Sequence, residues 1–212
     1  MGEGGRAIAI AGANRPLGRR VAEALREAPW VTRVVGIESD ASSEWVDGVQ
    51  FVANEGEPRQ LVALFQEFAI DTVIHCAFAA DRSGTSSEPS GGDVIQTLRL
   101  GAAITDPKTS VRSFVVASSS DVYPVSTHAP LVYPEGAEEV GDDGSVAATL
   151  VEAERYARDV AERALHIDVE LMRLAPVVGR GFSTPFNRLL AQRPLPVPLG
   201  YDPTLQLLRV ED

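Results

Sequence analysis

Lysine is almost missing from this sequence. Lys108 is the only one, and every other basic side chain is arginine, so chemistry that needs an amine has one candidate position. Cysteine is equally scarce. Cys76 stands alone and cannot close an internal disulfide, which makes a reducing cytoplasm the expected compartment. No stretch approaches twenty apolar residues, so no membrane span is expected. The N-terminus lacks the basic segment and apolar run of a signal peptide. Its Met-Gly-Glu-Gly-Gly-Arg opening also puts Arg6 where myristoylation requires Ser or Thr. Positive charge is short overall, with 19 Lys and Arg against 30 Asp and Glu and a formal net charge of -11. That balance excludes non-specific binding to nucleic acid or to anionic lipid, because both select basic surfaces. The three histidines, His75, His128 and His166, are too far apart in sequence for metal-ligand spacing, so no metal site is expected.

What is present is an alternation. The 212 residues suit one domain with a full core. Short β-rich apolar runs near 7–11, 32–37, 49–53, 71–77, 111–118 and 167–174 read as strands. Helical patterns fall between them, near 17–28, 58–68, 93–105 and 146–165. Strands and helices in turn predict an α/β fold, a doubly wound parallel sheet covered on both faces. Ser145 is a natural N-cap for the last of these helices. Two Ser-, Gly- and Pro-rich loops, 79–93 and 123–144, follow the fourth and fifth strands, at the edge where open α/β sheets bind ligands.

The first strand runs into "AGANRPLG", 11–18. A dinucleotide loop uses one glycine for the tight turn, a middle one for close approach to the pyrophosphate, and a last one for helix–strand packing. Gly12 and Gly18 hold the outer positions, while Arg15 and Pro16 stand where the middle glycine belongs. Pro16 removes an N–H donor but suits the first turn of a helix. Arg15 offers a charge-assisted bond to phosphate, with Asn14 and Leu17 beside it. Glu38 ends the second strand twenty residues beyond Gly18, placed to accept from ribose hydroxyls and to repel a 2′-phosphate. NAD is therefore expected over NADP. Asn54 and Glu55 close the third strand at the adenine side, and Cys76, Ala77 and Phe78 close the fourth.

In this order the segments resemble the extended short-chain dehydrogenase/reductase family, the NAD-dependent epimerase/dehydratase group. "AGANRPLG" stands for its glycine loop, "GIES" for its ribose strand end and "DTVIHCAFAA" for its fourth strand. "FVVASSSDVYP" looks like the strand ending in a catalytic Ser or Thr, and "LMRLAPVVGRG" like the segment past the nicotinamide, which places Ser118 and Pro176 beside the cofactor. The resemblance implies a Rossmann-like sheet of order 3-2-1-4-5-6 over residues 1–212, ending before a C-terminal substrate lobe. It also implies a homodimer through the helices at 93–105 and 146–165.

The family's chemistry rests on a Ser or Thr and a Tyr-x-x-x-Lys pair. Ser119 matches the serine, with Ser118 or Ser120 one place away, and Tyr123 is the nearest replacement acid. Aligned on Glu154, Val146 takes the tyrosine position and Leu150 the lysine position. Ile104 precedes Lys108 by four, so no Tyr-x-x-x-Lys occurs anywhere in the sequence. Acid–base catalysis commonly contributes about a hundred- to ten-thousand-fold. Three readings follow. The favoured one is a catalytically degenerate domain that binds a dinucleotide in a structural or sensing role and acts through a protein partner or the further lobe. The second is an active oxidoreductase or epimerase using Ser119 and Tyr123. The third is a scaffold holding no cofactor.

Overall fold

The computed structural model describes residues 5–38, 46–53, 56–76, 91–123, 130, 132–137, 146–179, 185–195, 200 and 206–211, with backbone only at 91–93, 146, 185 and 186. Six parallel strands form one sheet of order β3-β2-β1-β4-β5-β6. They are β1 (Arg6–Ala11), β2 (Val31–Glu38), β3 (Gln50–Ala53), β4 (Thr72–His75), β5 (Ser113–Ser119) and β6 (Asp168–Leu174). The helices are α1 (Pro16–Glu27), α2 (Pro58–Glu67), α3 (Gly91–Ile104) and α4 (Val146–Arg163). This is the doubly wound order that the resemblance implies, with β1 at the centre and the chain diverging to either side of it.

The sequence of β1 shows how the layers form. "AIAIA" sends Ala7, Ala9 and Ala11 to one face and Ile8 and Ile10 to the other, since side chains alternate along a strand. The alanine face leaves room for Leu61 and Phe65 of α2, Leu100 and Ile104 of α3, and Ala157 and Val160 of α4. Right-handed crossovers from β3 to β6 dictate that these three helices share a face. The isoleucine face packs on Leu17, Val21, Ala22 and Leu25 of α1. Each fully buried isoleucine contributes about 1.5–3 kcal/mol. Among the described residues α1 is the one long helix on that face. Beyond it, a groove of about 390 Å³ lined by Ile8, Trp30, Ile74 and Val115 crosses the sheet, and Trp30 remains 52% exposed.

Several elements were too short for periodicity to reveal. A 3₁₀ turn (Ser120–Val122) follows β5, helix α5 spans Pro185–Leu190, and β7 (Val177–Val178) pairs with β8 (Leu208–Arg209) in a separate parallel pair. The Ser145 cap lies outside the described residues. None of the described helices is long and apolar enough to cross a membrane.

Candidate functional site

Two clusters of side chains stand along the carboxyl edge of the sheet. The first surrounds the β1–α1 turn. Gly12 has φ 81°, a left-handed conformation that glycine adopts without strain. A Cβ on Gly18 would overlap the Gly12 carbonyl oxygen and lie 2.9 Å from Ala13 Cα, so the start of α1 sits directly on the turn. Gly36 makes the same kind of approach from β2: a Cβ there would lie 2.8 Å from the Phe51 ring and 3.0 Å from Ala13 Cβ. The sequence reading did not single out Gly36, although its glycine near the end of an apolar strand was the available signal.

Polar groups hold this turn from within. The Gly12 N–H donates to Ile37 O at 3.3 Å and the Arg15 N–H to Gly12 O at 3.1 Å. The Asn14 N–H donates to Glu38 Oε1 at 2.6 Å. Burial raises the Glu38 carboxyl above its usual range, partly offset by that N–H and by the charge of Arg15. Arg15 also acts on His75 at the end of β4. Burial first, and Arg15 second, push that imidazole down to about 3, so it is neutral at pH 7. His75 Nε2 lies 2.9 Å from Thr97 Oγ1 on α3. The Cys76 thiol is pushed up to about 12, by burial and then by the charge of Glu38, which leaves it protonated and unreactive. Leu17 packs into the core of the isoleucine face. Asn54, Glu55, Ala77 and Phe78 lie outside the described residues.

The second cluster joins β5, α4 and β6. Glu154 is fully buried on α4. Its carboxylate accepts from Arg173 Nη2 at 2.7 Å and Nε at 3.1 Å, and from Arg158 Nη2 at 2.8 Å. The Ser118 hydroxyl donates to Glu154 Oε1 at 2.5 Å. Arg173 Nη1 donates to the Tyr123 hydroxyl oxygen at 3.0 Å, and its guanidinium lies 4.9 Å from the centre of the Tyr123 ring. Tyr123 in turn stacks on Tyr133 with ring centres 4.5 Å apart. The bonds from Glu154 hold the Arg173 guanidinium well above its ordinary value. A buried acid bonded this fully is a packing unit, since removing one partner would strand a charge.

Strand parity separates the neighbouring serines. Ser118 points towards α4, while the Ser119 Oγ accepts the Asp121 N–H at 3.2 Å and caps the 3₁₀ turn. Leu150, at the position that the resemblance assigns to lysine, is 3% exposed on the inner side of α4. Val146 opens that helix. Pro176 precedes β7, and its carbonyl accepts the Leu208 N–H at 3.1 Å. What the sequence reading missed is the convergence of Ser118, Arg158 and Arg173 on Glu154. The signal was an acid inside the apolar band of α4. Among the described residues no group of three His, Cys, Asp or Glu side chains is placed to hold a metal.

Known proteins share this fold. An uncharacterized protein of Mycobacterium tuberculosis is 30% identical over 213 residues, matching 97% of this chain. The chain spans 56% of the length of that relative and of an uncharacterized protein of Mycobacterium bovis matched at the same identity. UDP-N-acetylglucosamine 4-epimerase from Bacillus cereus superimposes with a TM-score of 0.70 at 19% identity, covering 98% of this chain and 69% of that one. UDP-glucuronic acid 4-epimerase from Bacillus cereus, solved with UDP-glucuronic acid and NAD, gives a TM-score of 0.70 at 20% identity, covering 97% and 69%. At such identities the likeness establishes the fold. The sequence also matches the family model over residues 8–193, and the chain belongs to the NAD dependent epimerase/dehydratase family.

Proposed function

We propose that this chain is a dinucleotide-binding domain, selective for NAD over NADP, whose proton-transfer machinery has given way to packing. Its role is structural or sensing, exerted through a protein partner or a further lobe. The observation that carries this reading is the contrast between two ends of one sheet edge. Gly12 holds the left-handed turn, and Gly18 and Gly36 allow the close helix–strand packing that a Cβ would block, which supports a turn of the dinucleotide-binding type. Beside them Leu150 is buried and Glu154 is bonded by two arginines and a serine.

Bound NAD would supply a hydride acceptor. Glu38 would accept from the adenosine ribose hydroxyls, and its charge would oppose a 2′-phosphate. The first turn of α1 would face the pyrophosphate through the N–H groups of Leu17 and Gly18, which helix geometry leaves without intrahelical acceptors. Calorimetric titration with NAD and NADP, followed by a turnover assay over nucleotide sugars and small carbonyl compounds, tests the reading. Binding of NAD without turnover is the expected result. Turnover at an ordinary enzymatic rate would overturn it.

One observation favours the second reading, an active oxidoreductase or epimerase. Arg173 donates to the Tyr123 oxygen, leaving the phenol proton available to a ligand, and an arginine so placed could do part of the missing lysine's work. Turnover that disappears on Tyr123→Phe would establish it. A homodimer through α3 and α4 belongs to the favoured reading. Ile95 and Leu98, half-exposed on α3, support it, and light scattering tests it.

A further inference from the structure

In the dinucleotide reading above, the β1–α1 turn takes the phosphates and Glu38 at the end of β2 takes the ribose. β3 is the next strand and closes the sheet on that side. Its last residue, Ala53, pairs in register with Glu38. The base carried by that ribose then falls to the turn that leaves β3. Two described residues of this turn, Gly56 and Glu57, are held from outside it. Gly56 is buried with φ 84°, a conformation that glycine enters easily and leaves as easily. Arg99 of α3 lies over it: a Cβ on Gly56 would stand 3.4 Å from Arg99 Cδ and 3.6 Å from Nη1. Glu57 is the N-cap of α2, yet its side chain makes no capping bond. Its carboxylate meets Arg99 Nη2 at 3.2 Å instead. Leu100, Ala103 and Ile104 anchor the same helix in the core, so the arginine springs from a rigid element. One side chain covers the glycine with its stem and ties the next residue with its charge.

Resting on the dinucleotide reading, we propose that Arg99 is a positioning residue for the nucleoside end of the site: reaching from α3, it fixes the β3–α2 turn beside Glu38 and so sets a preference for adenine over other bases. Arg99 touches no ligand in this role. It acts by keeping the polar groups of the turn in one place, and discrimination between bases requires such groups to be held within about 0.5 Å. The ion pair is half-exposed, with 35% and 58% of the two side chains in contact with solvent. Its effect is therefore modest and weakens with salt.

Calorimetric titration of the 212-residue chain with NAD and with nicotinamide hypoxanthine dinucleotide tests this, because the two ligands differ only in the base. Wild type is compared with Arg99→Ala, Arg99→Met, Arg99→Lys and Glu57→Gln, with a thermal melt of each variant confirming that it is folded. Wild type is expected to favour NAD. Arg99→Ala loses stem and charge together and should weaken NAD about three- to tenfold. The hypoxanthine dinucleotide should lose less, so the preference shrinks. Arg99→Met, which keeps the stem, and Glu57→Gln should each show part of that loss, and combining them should add little. Arg99→Lys should stay within about twofold of wild type, because the contact is to one carboxylate oxygen and a point charge can make it. NAD affinity within about twofold of wild type in folded Arg99→Ala overturns the inference. Equal loss of both ligands overturns it too, because the arginine would then support the site at large and not the base. A wild type that binds both dinucleotides alike overturns it while leaving the dinucleotide reading in place. A wild type that takes up neither overturns that reading and this inference together.

Discussion

The two ends of the candidate site are built from opposite materials. Around β1 and α1 the sequence supplies glycine and alanine, and what matters is how closely backbone packs on backbone and ring: Gly18 against Gly12, and Gly36 against Phe51 and Ala13. Around β5, α4 and β6 it supplies long charged side chains and aromatic rings, and what matters is how completely they occupy space. Glu154 has no exposure, and Arg173 keeps 11% of its side chain in contact with solvent. One region is held by close backbone approach and the other by paired charges. The difference teaches that one sheet edge can carry both a turn built on close backbone approach and a buried ionic cluster, provided the cluster leaves no buried charge unpaired.

The contrast can be broken first at its closed end. Glu154→Ala leaves Arg173 and Arg158 without their carboxylate, and stability should fall by about 3–5 kcal/mol in urea unfolding. Dinucleotide affinity per folded molecule should hold, because the β1–α1 turn is untouched; a parallel loss of binding would mean that the two regions are coupled.

The boundary between them should respond to acid. The His75 imidazole is held down at about 3 in the fold, against an ordinary value of 6.5. Between those values the unfolded chain binds the extra proton, so stability is full above about 6.5 and declines as pH falls towards about 3. The contribution at stake is on the order of 5 kcal/mol. Urea unfolding at a series of pH values measures it, and a His75→Gln variant should show a shallower decline.

The open end is tested by filling it. Gly18→Ala forces a methyl group against the Gly12 carbonyl, at a cost of about 1–3 kcal/mol, and should abolish detectable NAD binding. Unchanged affinity would show that the turn is a connection and no cradle. Glu38→Gln removes a charged acceptor and should weaken NAD about tenfold while narrowing the gap to NADP, as read by calorimetry. The smallest effect belongs to Ser119→Ala, which deletes one cap on the 3₁₀ turn and should cost at most about 1 kcal/mol. If an activity is found and Ser119→Ala abolishes it, the serine is acting on a substrate and the closed end is catalytic after all.

Much of this was legible before any coordinates. The six main strands and four main helices follow from apolar alternation and periodicity, with ends displaced by one or two residues, as in α3, which begins at Gly91 where the pattern suggested 93. Gly12, Gly18 and Glu38 were legible because their spacing is local and their residue types are demanding. The two-residue strands β7 and β8 were not, since no period shows in so short a run. Nor could spacing choose among Ser118, Ser119 and Ser120. That choice depends on which face each presents, and a one-place shift in parity reverses it.

The sequence by itself determined the alternation that makes a parallel sheet, the outer glycines of the first turn, and the lack of any tyrosine four residues ahead of a lysine. These are properties of neighbours along the chain, where periodicity and steric demand act directly. Only the tertiary structure decided that Glu154 and Arg173, nineteen residues apart on different elements, would neutralise one another out of water. Only it brought the Glu38 carboxylate at the end of β2 to the Asn14 N–H beyond the end of β1. Coulomb attraction and desolvation depend on distance through space, and the fold is what sets that distance.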